Sequence, residues 1–190
     1  MRIIGGKYRS RRFPVPTSFK SRPTTDMAKE NLFNILANRL VWEETDALDL
    51  FAGTGSMGFE MLSRGAASVL AIEKDYVHYA FIREVAGKLA DPAYRALKRD
   101  ALKWVRDQGS IEEEKRQKFD FIFADPPYSL ANLENIYDIV LESGILKPGG
   151  LLVIEHPAEV DFSGRPLFKE LRQYGAVHFS FFSEKDEPGA

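Results

Sequence analysis

Apolar and polar residues follow two different periods along this chain, and the points where the period changes mark its elements. Leu32, Leu36 and Leu40, with Phe33 and Ile35 beside them, recur at helical spacing as far as Asn38 and Arg39. Residues 47–51 then form a short apolar run that reads as a buried strand, followed by a glycine-rich loop and a helix over 57–64. A second strand at 69–72 leads to a helix over 76–89. A weaker third strand at 96–98 leads to a helix carrying Trp104 and Val105. Residues 107–118 are polar and charged, a surface loop before the apolar strand 119–124. A helix over 133–141 precedes Lys147-Pro148-Gly149-Gly150, a turn expected to open the fifth strand at 151–154. Residues 168–174 and 176–182 flank Gly175 as a closing antiparallel pair. Strands alternating with helices predict an α/β fold, a mostly parallel sheet covered on both faces. No internal repeat, low-complexity tract or interdomain linker interrupts it.

Charge divides the chain unevenly. The net charge is −2, yet seven basic residues (Arg2, Lys7, Arg9, Arg11, Arg12, Lys20, Arg22) and no acids precede Asp26, which leaves −9 on the remainder. A basic arm on an acidic body suits a protein that grips a polyanion with one end, although a solvated, frayed terminus has the same composition. Arg2-Ile3-Ile4, Gly5-Gly6 and Lys7-Tyr8-Arg9 predict a hairpin with a two-residue glycine turn. Tyr8 and Phe13 among the bases favour a folded RNA-binding arm. Residues 1–22 are thus expected to be the arm and 23–190 the main domain, with Arg22-Pro23-Thr24-Thr25-Asp26 leading into a helix through N-cap chemistry. The 190 residues contain no cysteine, which excludes disulfides and thiol catalysis; His78, His156 and His178 have no zinc spacing. Without a membrane-length apolar run or a signal-peptide core, the expectation is a cytoplasmic, metal-free protein.

Four acids stand where strands end: Asp49, Glu73, Asp100 and Asp125, at intervals of 24, 27 and 25 residues, about one β-α unit each. Parallel sheets bind ligands at the carboxyl ends of their strands, so these acids are expected to converge on one crevice. Between the first two lies Gly53-Thr54-Gly55-Ser56-Met57-Gly58, a G-x-G-x-x-G loop of dinucleotide type, with Glu73 placed 20 residues past Gly53 where a ribose-binding acid belongs. An NAD-dependent oxidoreductase is therefore a competitor. Against it, Asp49 would repel a pyrophosphate but attract a cationic amino or sulfonium group, and no hydride-transfer acid/base pair accompanies the loop. S-adenosylmethionine fits better: Gly53 and Gly55 would let backbone approach its methionine part, Glu73 would accept from ribose hydroxyls, and Asp100 would reach the adenine amine. A purely structural glycine turn stays open.

Asp125-Pro126-Pro127-Tyr128 follows the strand 119–124 directly. The prolines fix φ and lack an N–H, holding the carbonyls of Asp125 and Pro126 away from the turn. A carboxylate and a fixed carbonyl can accept both hydrogens of an NH₂ group while Tyr128 stacks on the base that carries it. The chemistry suggested is modification of a nucleobase amine; a proline turn with a solvent-capping Tyr is the bland alternative.

With both motifs in place the chain resembles the class I S-adenosylmethionine-dependent methyltransferases, and among them the bacterial family that methylates the N2 amine of a guanine in small-subunit ribosomal RNA. The resemblance is carried by Arg2-Ile3-Ile4-Gly5-Gly6-Lys7-Tyr8, Arg22-Pro23-Thr24-Thr25-Asp26, Asp49-Leu50-Phe51-Ala52-Gly53-Thr54-Gly55-Ser56, Ala71-Ile72-Glu73 and Asp125-Pro126-Pro127-Tyr128. It implies a Rossmann-like fold with a seven-stranded, mostly parallel sheet, an antiparallel C-terminal strand and an N-terminal β-hairpin arm. It implies S-adenosylmethionine held by Asp49, Phe51, Gly53, Thr54, Gly55, Glu73, Lys74, Asp100 and Ala101, with Asp125, Pro126, Pro127 and Tyr128 as the catalytic set. Arg2, Lys7, Arg9, Arg11, Arg12 and Arg22 would contact 16S rRNA, within an assembled or assembling small subunit, and the enzyme would be a monomer without metal. A DNA adenine-N6 methyltransferase uses the same tetrapeptide, but the 75 residues between Asp49 and Asp125 leave no room for an inserted DNA-reading domain. Protein-glutamine methylation usually goes with Asn at the first slot position, and a non-catalytic RNA-binding module would not need both motifs intact.

Overall fold

The computed structural model describes residues 1–17, 19 and 25–184; Arg22, Pro23 and Thr24 lie outside the described residues. Among the described residues, five α-helices and seven strands follow in the order α1 (Asp26–Leu36), β1 (Asp46–Leu50), α2 (Ser56–Ser63), β2 (Ser68–Glu73), α3 (Tyr76–Leu89), β3 (Tyr94–Lys98), α4 (Ala101–Gly109), β4 (Phe119–Ala124), α5 (Asn135–Ser143), β5 (Leu146–His156), β6 (Phe168–Tyr174) and β7 (Val177–Ser183). They build one sheet of order β3-β2-β1-β4-β5-β7-β6, with β1 to β5 parallel and β7 antiparallel to both of its neighbours. The chain runs outward from β1 to β3, then returns to lay β4 on the other side of β1. That reversal is the switch point at which such sheets open a crevice.

The central strands are apolar throughout because both faces are covered. Successive side chains point to opposite faces. Ala47, Val69, Ala71, Phe121, Phe123, Val153 and Phe179 therefore pack with α1, α2 and α3. Leu48, Leu50, Leu70, Ile72, Ile122, Ala124 and Ile154 pack with α4 and α5.

Three boundaries differ from the sequence expectation. The first helix ends at Leu36, and residues 37–39 close it with tight turns in which Asn38 N donates to Ile35 O and Arg39 N to Leu36 O. The segment 147–150 lies inside β5 rather than before it: the strand starts at Leu146, paired with Phe119, and the glycines are absorbed as an irregularity before Leu151 pairs with Phe121. At the N-terminus the antiparallel return exists, with Arg2 bridged to Arg12 and Ile3 N donating to Arg11 O at 3.0 Å. Its turn, however, spans residues 4–10 instead of Gly5-Gly6. Gly6, at φ +72°, lies so close to α2 that a β-carbon would come within 1.8 Å of the Ser63 carbonyl oxygen. Gly6 thus serves both the close approach and, through its positive φ, the wider turn.

The arm is stapled to the body. Glu60 of α2 is wholly buried; its carboxylate accepts from Ile4 N at 2.8 Å and Gly5 N at 2.7 Å, and pairs with Arg64 at 3.1 Å. Lys29 of α1, 1% exposed, donates to the Arg2 carbonyl at 2.7 Å and to Ser56 Oγ at 2.9 Å, with Glu60 at 3.7 Å.

Candidate active site

Strand register assembles the site. Ile72, Leu50, Ala124 and Ile154 are the last paired row across β2, β1, β4 and β5. One residue further stand Glu73, Phe51, Asp125 and Glu155. By alternation Glu73, Asp125 and Glu155 continue the parity of Ala71, Phe123 and Val153 toward the α1–α3 side at the carboxyl edge, whereas Phe51, past the end of β1 at positive φ, packs against the α4–α5 cluster. All four open on a cavity of about 750 Å³, within the range of small-molecule sites. Thr25 and Met27 at the start of α1 border it, as do the glycine loop and residues 174–177 of the β6–β7 turn. Thr25 is ordered as the N-cap of α1, its Oγ1 accepting from Ala28 N at 3.2 Å.

The glycine loop divides its labour. Gly53 faces open space, the nearest atom to an added β-carbon being the Phe51 carbonyl at 3.9 Å, so a ligand can approach its backbone. Gly55, at φ +73°, instead makes room for the Phe59 ring, which a β-carbon would meet at 2.8 Å, and it stands outside the cavity lining. Phe51 holds φ +61°, a sparsely populated conformation for a bulky residue, at the turn from β1 into the loop. Glu73 supports the loop by accepting from Gly53 N at 2.8 Å and Asp75 N at 2.7 Å, and its carboxylate still borders the cavity. Each oxygen has a further lone pair for a hydroxyl.

The other expected cofactor residues separate into two groups. Asp49, Thr54, Lys74 and Ala101 line the cavity. Asp100 does not: it caps α4, accepting from Lys103 N at 3.1 Å, and faces Lys74 at 3.8 Å with its side chain half exposed. β3 ends at Lys98, so Asp100 lies past the strand and serves the helix that packs on the opposite face.

Asp125, Pro126, Pro127 and Tyr128 all border the same cavity, on the strand next to the one that feeds the glycine loop. Pro126 is buried, whereas Pro127 and Tyr128 are exposed. The Tyr128 hydroxyl makes a long contact of 3.5 Å to Glu155. Buried Asp49 accepts from Gly58 N at 2.9 Å, yet its pKa is pushed up to about 7, by burial first and by the charge of Glu73 second. Asp125 is pushed well above the carboxylate range by burial, then by Glu155 and Asp49. The crowding of carboxylates makes the crevice a place where a cation is welcome. No helix among the described residues is long and apolar enough to cross a membrane, and no cluster of three metal-ligating side chains occurs among them.

Of the arm cations, Arg2 pairs with Asp26 at 3.0 Å and Lys7 with Asp91 at 2.7 Å. Arg11 lies over the rings of Tyr8 and Phe13, while Arg9 and Arg12 are exposed. Glu155, Thr25 and Met27 are site residues that the sequence reading did not assign to the crevice. Glu155 carried a signal, since it is an acid directly after an apolar run, like Glu73 and Asp125. Thr25 stood in the segment singled out for N-cap chemistry and for the resemblance, but nothing local placed it or Met27 at the crevice, to which packing of α1 brings them.

Comparison with known proteins identifies the family and the fold. The family described as Conserved hypothetical protein 95 matches residues 1–183. Ribosomal RNA small subunit methyltransferase D of Escherichia coli is 36% identical over 160 residues, 84% of this chain and 76% of that one. The solved structure of E. coli yhhF has a TM-score of 0.82 at 30% identity, covering 96% of this chain and 97% of that one. The fold alone is shared, at 21% identity and a TM-score of 0.65, with the Thermus thermophilus 16S rRNA N2 G1207 methyltransferase RsmC, solved with AdoMet and guanosine; the match covers 87% of this chain and 45% of that one. Matched over nearly its whole length and sharing more than a third of its residues with the E. coli protein across the aligned region, the chain belongs to the ribosomal RNA small subunit methyltransferase D family.

Proposed function

We propose that this protein transfers a methyl group from S-adenosylmethionine to the exocyclic N2 amine of one guanine in 16S rRNA, working as a cytoplasmic monomer on an assembled or assembling small ribosomal subunit. The observation that carries the reading is the opening of Asp125-Pro126-Pro127-Tyr128 into the same cavity as the glycine loop, from adjacent strands at the switch point. S-adenosylmethionine supplies an activated methyl group on a positively charged sulfur. The residues present fit it: backbone is accessible at Gly53, and Asp49 and Glu73 offer carboxylates to its cationic and hydroxyl groups. In this reading Phe51, Thr54, Lys74 and Ala101 complete its walls.

The rest of the chemistry is positioning. The N2 lone pair of guanine is delocalised into the ring, so the amine is a weak nucleophile. Asp125 and the Pro126 carbonyl accept its two N–H bonds and turn the lone pair toward the methyl group, where alignment supplies much of the rate. Asp125 can take the proton that becomes acidic as the N–C bond forms. Tyr128, half exposed at the rim, stacks on a base that has left its own stack. Arg9, Arg11 and Arg12 hold phosphates on the outer face of the arm.

Single-turnover methylation of small ribosomal subunits, with the product nucleoside identified by mass spectrometry, tests the reading. Asp125→Ala should lose N2-methylguanosine formation while calorimetric affinity for the cofactor survives. Tyr128→Ala should cost about 1–3 kcal/mol of base stacking, whereas Tyr128→Phe should be nearly neutral. N6-methyladenosine from the wild type, or a near-normal rate in Asp125→Ala, would refute it.

A further inference from the structure

Glu155 is 4% exposed, borders the cavity, and is the last residue but one of β5, one step past the paired row Ala124–Ile154, as Asp125 is the first residue after β4. Two carboxylates brought side by side from strands about 4.8 Å apart form a surface that accepts hydrogen bonds and donates none while ionised. Their mutual repulsion is one reason that Asp125 resists ionisation. A ligand edge with two adjacent donors matches such a surface, and one with a lone pair beside its donor does not.

Nucleobases differ on this point. Guanine presents N1–H next to the N2 amine, an unbroken run of donors. Adenine presents its N6 amine next to the N1 lone pair, which a second carboxylate would repel. Cytosine likewise sets an amine beside the N3 lone pair.

We propose that Glu155 is the specificity-determining residue of this site, accepting N1–H of the target guanine while Asp125 holds the N2 amine. The proposal rests on the guanine-N2 reading above and adds to it the group that separates guanine from adenine. Glu155 also lies 3.5 Å from the Tyr128 hydroxyl, so acceptor and stacking ring meet at one end of the slot. A site built around an N–H donor rejects analogues that lack it, since their ring lone pair then faces the carboxylate.

The test uses reconstituted small subunits whose target guanine, once mapped, is replaced by 2-aminopurine, which keeps the C2 amine but has a lone pair at N1. The wild type should methylate guanine faster than 2-aminopurine in single turnover. Glu155→Gln, whose amide can donate, should slow guanine about 10- to 100-fold, the loss of one hydrogen bond to a charged group. It should not slow 2-aminopurine, so the rate ratio collapses while S-adenosylmethionine affinity stays unchanged. Glu155→Ala should lower the same ratio, whichever way a glutamine amide turns. An unchanged ratio in both variants overturns the proposal. A wild-type enzyme that methylates N1-methylguanine at the target as fast as guanine also overturns it, without reference to any variant. Absence of N2-methylguanosine from unmodified subunits treated with wild type would instead refute the reading on which the proposal rests.

Discussion

Replacing Glu60 by Gln tests how the N-terminal arm is held. The carboxylate is wholly buried and divides its oxygens between Ile4 N at 2.8 Å and Gly5 N at 2.7 Å. A glutamine of the same shape can accept only one of these bonds; its NH₂ must face the other donor. Losing a hydrogen bond to a charged group costs about 1.5–3 kcal/mol. Lys29, 1% exposed and 3.7 Å away, also loses its counter-charge, and its pKa is already lowered because burial outweighs the Glu60 attraction. Removing one partner of a buried pair costs about 3–5 kcal/mol in full; the Lys29 bonds to the Arg2 carbonyl and Ser56 soften this. The expected total is about 3–5 kcal/mol, or a fall in Tm of roughly 6–20 °C for a chain of this size. Urea unfolding measures the total, and amide exchange at Ile4 and Gly5 reports whether the arm opens before the body. Glu60→Gln with Lys29→Met should be less damaging than the sum of the two single changes, because the stranded charge is gone. A change within about 0.5 kcal/mol, with both amides still protected, would refute the account of arm docking.

Two further predictions concern charge. Asp49, raised to about 7, binds its proton more tightly folded than unfolded, so its contribution to the stability of the ligand-free protein is full below pH 4 and is lost as pH rises through 7. A cationic ligand group favours the ionised form, so calorimetric affinity for S-adenosylmethionine should rise between pH 6 and 8 and flatten in Asp49→Asn; a flat wild-type profile would remove Asp49 from the cofactor site. Neutralising Arg9, Arg11 and Arg12 together should weaken RNA binding and reduce the salt slope by about 0.7–0.9 for each phosphate no longer neutralised, and an unchanged slope would make the arm a structural element only.

The pattern of apolar residues was enough to locate β1, β2, β4, β6 and β7 and both ends of α3, because such runs and periods are set by neighbours up to four residues away. The glycine loop and the acids within or just after β1, β2 and β4 were legible for the same reason: each is a local departure in or beside an apolar run. Where β5 begins was not legible, since Gly149 and Gly150 signal a turn by their own preference and only pairing of Leu146 with Phe119 draws them into the strand. Asp100 read as a fourth crevice acid, but whether an acid just past a strand faces the crevice or caps the next helix depends on where that helix packs. The arm read as a glycine-turn hairpin, while Glu60 holds it from 55 and 56 residues away. Strand order was beyond any local pattern, and it is strand order that sets Asp125 beside the glycine loop and Glu155 beside Asp125. Local periodicity records which face of an element is buried; which element buries it is settled by packing many side chains at once, and that is where the site was made.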